Sequence, residues 1–184
     1  MRVQIPARLW HKNGACHVST SNRNIPAHSR ESLERLALRY VERYATTRLK
    51  LTRYLERKLY ERGWAGEDAP PVAEIVRRMA ELGYVNDRQF AEMRAGALAR
   101  RGYGKRRVQA DLAASGIAAD DSEEVLRQSG EQAREAALHF ARRKRLGPFA
   151  EKEGDANSYR RAFAAMARAG HPLDIIKEIL TEEE

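Results

Sequence analysis

One cysteine, Cys16, is all the chain has, so it cannot close a disulfide on itself and nothing in it calls for an oxidising compartment. Its start, MRVQIPARLWHKNGACHVSTSN, has no uninterrupted apolar stretch of the kind an export signal needs, and no run elsewhere is long enough to span a bilayer. Aromatic residues make up only 7% of the chain, there are only six prolines, and segments of strict apolar–polar alternation are missing. These shortages argue against a disulfide scaffold, a membrane protein and a β-rich domain. An all-α protein of the reducing cytoplasm, abundant in Ala, Leu, Arg and Glu, is the expectation that remains.

What the chain does have is an internal repeat. TRYLERKLYERGW at 52–64, KRRVQADLAASGI at 105–117 and YRRAFAAMARAGH at 159–171 align without a gap. In register, Arg53, Arg106 and Arg160 coincide, as do Leu55, Val108 and Ala162, then Leu59, Leu112 and Met166, and finally Gly63, Gly116 and Gly170. A fixed period of fifty-odd residues marks supersecondary units too small to bury their own apolar faces, which must therefore stack.

Helical periodicity fills the period with three helices per unit. Residues 1–30 hold Pro6, Gly14 and Pro26 among scattered polar residues and read as a flexible leader. Leu33, Leu36, Ala37, Tyr40, Val41 and Tyr44 predict a first helix over about 32–45. The first copy follows, with Gly63 at a left-handed C-terminal cap, and then Val72, Ile75, Val76, Met79 and Leu82 after Pro70-Pro71. A second unit opens with Asn86 as N-cap, continues through Lys105–Ser115, and closes with a short helix capped by Asp120-Asp121-Ser122. The third runs through Ala133–Ala141, the last copy, and a helix begun by Pro172. The expected architecture is about nine helices in tandem three-helix repeats, 31–85, 86–130 and 131–184, stacked into an elongated, curved array. Trp64 and Ile117, following two of the glycines, are expected as packing anchors.

Catalytic constellations are not found. His11, His17, His28, His139 and His171 pair with no acid or nucleophile, and His171, beside Pro172, reads as flanking a helix start. One thiol with irregularly spaced histidines does not make a zinc site. Gly102-Tyr103-Gly104-Lys105 fails as a phosphate loop, because Ala99 and Arg106 stand where glycine and Ser or Thr are required and no strand precedes it. The expectation is a protein without enzymatic activity, cofactor or metal.

The recurring chemistry is basic. Net charge is +8, from 34 Lys and Arg against 26 Asp and Glu. The clusters are Arg53, Arg57 and Lys58; Arg100, Arg101, Lys105, Arg106 and Arg107; Arg142, Arg143, Lys144 and Arg145; and Arg160 with Arg161. A repeat array carries equivalent positions along one surface, so these residues form a candidate stripe for a phosphate backbone or an acidic protein groove. Glu56, Glu61 and Asp111 are expected to neutralise part of it as ordinary solvated helix faces. Aromatics for base stacking are sparse.

Three blocks then bring a family into view: ALRYVERYATTRLKLTRYLERKLYERGW at 37–64, NDRQFAEMRAGALARRGYGKRRVQADLAASGI at 86–117 and AGHPLDIIKEIL at 169–180. Over roughly 32–181 the chain resembles RecX, the bacterial regulator of the RecA recombinase. The middle block is the most specific, with Asp87, Phe90, Ala91, Arg100, Gly104, Leu112 and Gly116 fitting D-x-x-F-A…R-x-x-x-G…L-x-x-x-G-I. Asn86 stands where a second acidic residue is common, and 1–30 lies outside the family core. The resemblance implies tandem three-helix repeats lodged in the groove of a RecA–single-stranded DNA filament. By the same implication the protein limits ATP hydrolysis, strand exchange and coprotease action in recombination, repair and the SOS response. A monomer binding RecA, with single-stranded DNA beneath it, is the expected assembly. Two rival classes are a basic helical DNA-binding protein acting without RecA, and a helical scaffold for an unrelated partner.

Overall fold

Helices start where a short polar side chain can take up amides that the first turn leaves unpaired. Ser29, Thr47, Asn86 and Asp155 do this, accepting from the amides of Ser32, Lys50, Gln89 and Ser158 respectively. The resulting order in the computed structural model, which describes residues 26–151 and 155–181, is α1 (Arg30–Arg43), α2 (Arg48–Arg62), α3 (Val72–Glu81), α4 (Asp87–Ala99), α5 (Lys105–Ala114), α6 (Ala119–Glu131), α7 (Ala133–Lys144), a 3-10 turn (Gly147–Phe149), α8 (Ala156–Arg168) and α9 (Leu173–Thr181). Among the described residues there are nine α-helices and no strand. The histidines and thiol weighed as ligands at His11, Cys16 and His17 lie outside those residues.

The helices form three triplets, each around its own apolar centre. Leu33, Leu51, Leu55, Ile75, Met79 and Val85 fill the first. Ala91, Leu98, Val108, Leu112 and Val125 fill the second, and Phe140, Met166, Ile176 and Ile179 the third. Tyr103 packs on both the second and the third. The three sequence copies fall on α2, α5 and α8, the middle helix of each triplet, and Gly63, Gly116 and Gly170 follow their last turns. Ile117 joins the second core and Trp64 borders the first.

Some local expectations give way. Asp120 and Asp121 do not cap α6: Ala118 occupies the N-cap without a side-chain bond, and both acids lie in the first turn, where the helix dipole favours them. That helix is also not short, at 13 residues. The leader read over 1–30 already joins the fold at His28, whose amide donates to the Gly63 carbonyl (3.0 Å) and whose carbonyl accepts from Ala65 (3.0 Å). His171 does stand just before the start of α9, but it is no polar cap, because its ring is fully buried and neither nitrogen has a hydrogen-bond partner.

The triplets meet end to end through their middle helices. At the first junction the Thr47 hydroxyl donates to the Ser115 carbonyl (2.7 Å), and the Arg48 amide donates to Oδ1 of Asp87 (3.0 Å). Asp87 thus closes α2 from the neighbouring triplet while sitting in the first turn of its own helix. At the second, the Gly104 amide donates to the Ala169 carbonyl (2.9 Å) and the Arg106 amide to the Gly170 carbonyl (3.3 Å). In both, donors at a helix start, a hydroxyl at the first junction and two amides at the second, meet carbonyls left unpaired at a helix end.

Gly116 belongs to this contact. It sits at φ +77°, and a Cβ there would lie 2.4 Å from the Cβ of Leu49 across the junction. Gly116→Ala is expected to cost about 2 kcal/mol, roughly half from the left-handed backbone and half from displacing Leu49. Chemical denaturation measures it, and an unchanged midpoint would mean that Leu49 does not rest on Gly116.

Candidate partner-binding surface

The stacking decides which basic clusters become one surface. Lys105, Arg106 and Arg107 occupy the exposed first turn of α5, and Arg142, Arg143 and Lys144 the last turn of α7. Although Arg101 and Arg143 are far apart in sequence, the Arg143 guanidinium donates to the Arg101 carbonyl (2.9 Å). Between them lie aromatic rings: Tyr103 and Phe140 are 6.0 Å apart, with Arg107 over Tyr103 (5.9 Å) and Arg143 over Phe140 (5.6 Å). Arg142 covers Phe149 at 5.2 Å. The rings hold these guanidinium groups at the surface while the arginines stay exposed, which leaves donors for carboxylate or phosphate oxygens.

Of the remaining predicted residues, Arg53 and Arg57 stand exposed on α2, and Arg160 and Arg161 on α8. Arg57 lies 3.8 Å from Glu61, which Lys58 holds at 2.6 Å. Hydrogen bonding from Lys58 keeps the Glu61 carboxyl below its ordinary range. Arg161 donates to the Asn157 carbonyl (3.3 Å), and Arg145 pairs with Glu151. Arg100 lies beside Gly96, and the Lys105 stem beside Gly130.

Neutralisation of the central patch is less than the sequence implies. Asp111 is held by Arg94 in a two-point pair (2.6 and 2.8 Å), and this bond depresses its pKa. Arg106 and Arg107 therefore do not use that carboxylate as a hydrogen-bond partner. Lys50 reaches across the first junction to the ring of Phe90 (4.2 Å), and its pKa falls, chiefly through burial and then through Arg94.

A second constellation was not anticipated. Tyr40 stacks on Tyr54 with centroids 4.2 Å apart and planes 17° from parallel, and Tyr44 leans on Tyr40 at 5.3 Å. Arg43 lies over Tyr44, and Arg57 and Lys58 over Tyr54. Aromatics are scarce in the chain, yet the α1–α2 corner concentrates three of them, two lying under cations. The spacing of four between Tyr40 and Tyr44 is the one sequence signal for it.

Charged side chains converge here on aromatics and on each other's backbone, and no group of three or more His, Cys, Asp or Glu able to hold a metal occurs among the described residues. No helix among them is long and apolar enough to cross a membrane. What the surface offers chemically is recognition of anionic groups.

Comparison with known proteins bears on whose surface this is. Residues 86–126, covering α4, α5 and most of α6, match the family model for the second three-helix domain of RecX. The regulatory protein RecX of Myxococcus xanthus is 33% identical over 156 residues, spanning 80% of this chain and 83% of the relative. That of Mycobacterium sp. strain JLS is 32% identical over 176 residues, or 91% and 92% of the two chains. The crystal structure of RecX from Lactobacillus salivarius superposes with a TM-score of 0.59 at 20% identity, covering 82% of this chain and 94% of that one. Another RecX crystal structure gives 0.61 at 17% identity, covering 83% and 72%. The solved structures share the helical repeat fold, and the sequence relatives match most of their own length, so this chain belongs to the RecX family of regulatory proteins.

Proposed function

We propose that the protein regulates RecA by binding the RecA–single-stranded DNA filament and limiting its ATPase, strand-exchange and coprotease activities in recombination, repair and the SOS response. The observation that carries the reading is the basic surface assembled across the second junction from Arg101, Arg107, Arg142 and Arg143 on Tyr103, Phe140 and Phe149. A row of units fits a repeating partner, because each added contact is made at high effective concentration. The three-helix units, 31–85, 86–130 and 131–184, are the modules of that row. The protein acts by binding, without catalysis, metal or cofactor, as a cytoplasmic monomer.

Arg53, Arg57, Arg100, Lys105, Arg106, Lys144, Arg145, Arg160 and Arg161 extend the proposed surface to either side. Charge reversal of Arg106 and Arg107, or of Arg142 and Arg143, is expected to raise the concentration needed for half-inhibition of RecA ATPase about tenfold, equivalent to roughly 1.4 kcal/mol. Helicity by circular dichroism stays unchanged. Full inhibition by both variants would sink this surface as the binding site.

A basic helical protein that binds DNA without RecA is the second reading, and the Tyr40–Tyr54 stack under Arg57 and Lys58 favours it. Titrating the protein into single-stranded-DNA-dependent RecA ATPase separates the two. Inhibition well below one molecule per RecA, unrelieved by excess DNA, supports filament regulation. Inhibition fully relieved by DNA supports the alternative.

A further inference from the structure

The end-to-end junctions leave two ends without a neighbouring triplet: the C-terminal end of α2, at Gly63, and the first turn of α8, at Asp155. The Gly63 end is nevertheless filled. His28 gives its amide to the Gly63 carbonyl and takes the Ala65 amide, each at 3.0 Å, and the Ala27 methyl lies 4.0 Å from where a Cβ on Gly63 would be. At the second internal junction the aligned carbonyl of Gly170, with that of Ala169 before it, accepts from the start of another triplet's middle helix, and at the first the Ser115 carbonyl, one residue before the aligned Gly116, accepts from the Thr47 hydroxyl at such a start. Residues 26–28 thus make, with an extended segment, the bond that a helix start makes elsewhere.

We infer that residues 26–28 are an end-stop: they occupy in cis a socket built to receive the first turn of α8 from a second copy of this chain, and so prevent head-to-tail assembly.

Two observations fix the occupant. The first is repetition, since the corresponding helix end takes a middle-helix start at both internal junctions, and α8 supplies the only middle-helix start with no such partner among the described residues. The second is charge. Arg62 and Lys58 stand at the Gly63 end close enough to lower the pKa of His28, after burial as the main cause; Glu61, which pairs with Lys58, acts the other way and leaves Arg62 as the excess cation there. The start of α8 carries Asp155, whose carboxyl is held below its ordinary range chiefly by the Ser158 amide and so remains anionic. Thr47 and Gly104, the N-caps already seated within the chain, are uncharged, so Asp155 adds a contact that the internal junctions do not have. A single segment tethered beside its socket outcompetes a second molecule at low concentration, which keeps the chain monomeric.

The test uses the full chain with His28→Pro, which removes the amide that seats the segment and leaves the Ser29 cap of α1 in place. Mass by sedimentation is followed over two decades of concentration, together with hydrogen exchange at the Ala65 amide. The expected result is faster exchange at Ala65, a mass that climbs with concentration in the variant but not in the parent, and return to the monomer when Asn157→Trp, in the first turn of α8, is added. Faster exchange with a constant monomer mass would overturn the proposal. Unchanged exchange would show that His28 does not seat the segment, and association of the parent, or persistence in the double variant, would each overturn it as well.

Discussion

Gly104→Ala is expected to be among the most damaging single methyls in the protein, costing about 3–4 kcal/mol and lowering the melting temperature by roughly 6–16 °C. A Cβ at this position would lie 2.3 Å from the Gly170 carbonyl oxygen, 2.5 Å from its carbon and 2.8 Å from the His171 nitrogen. All three are backbone atoms, so no side-chain rotation relieves the contact. The junction must open, and with it go the bonds from Gly104 to Ala169 and from Arg106 to Gly170, worth about 1 kcal/mol each. Gly170 cannot retreat, because it is at φ +91° with its own Cβ position 2.4 Å from the Arg107 nitrogen. Differential scanning calorimetry measures both the shift and its form. Loss of the junction separates the third triplet from the first two, and a second transition appears. A single transition at the parent temperature would mean that the two glycines do not meet.

Acid exposes a weakness at the same junction. His171 is fully buried beside Phe140, with ring centroids 5.4 Å apart, and neither ring nitrogen has a hydrogen-bond partner. Burial pushes its pKa down to about 4; the Gly102 backbone, near the ring but outside hydrogen-bonding geometry, pulls weakly the other way. In the unfolded chain the imidazole takes up its proton near the ordinary value of 6.5. Between those two values the unfolded state binds more protons, so stability is complete above about 6.5 and is lost as pH falls towards 4. The loss over this window is roughly 3 kcal/mol, at 1.36 kcal/mol per unit. His28, also lowered by burial and then by Arg62 and Lys58, acts in the same direction. Denaturant midpoints measured from pH 7.5 to 4.5 show the decline. His171→Leu is expected to remove most of the slope while leaving stability at neutral pH within about 1.5 kcal/mol. A parent whose stability is flat across this range would mean that His171 is solvated.

The helix order was legible because it rests on local chemistry. Asn86 caps α4 through Gln89, the 3.6-residue stripe of α3 buries Ile75, Val76 and Met79, and each repeat copy becomes a middle helix. Asp120 and Asp121 misled because acids favour both a cap and a first turn, and only the backbone path tells them apart. The site was legible only as composition. Every basic cluster could be counted from the sequence, but the union of Arg101 with Arg143 depends on where α4 ends relative to α7, which no local pattern encodes. The same holds for Tyr40 on Tyr54, which lie on different helices, and for Gly104 against Gly170, where two residues without side chains leave no hydrophobic signal of their contact.

Among the described residues, the middle triplet alone has both kinds of end engaged by another triplet: the α5 start at Gly104 on one side and the α5 finish at Ser115 and Gly116 on the other. A gene lengthened by tandem duplication of the segment encoding 86–131 would therefore place matched faces at the new seam, whereas copying either outer triplet would bury the Asp155 cap or the His28 pairing. The number of units is in this way an inheritable integer, adjustable by unequal crossing-over without redesigning a core.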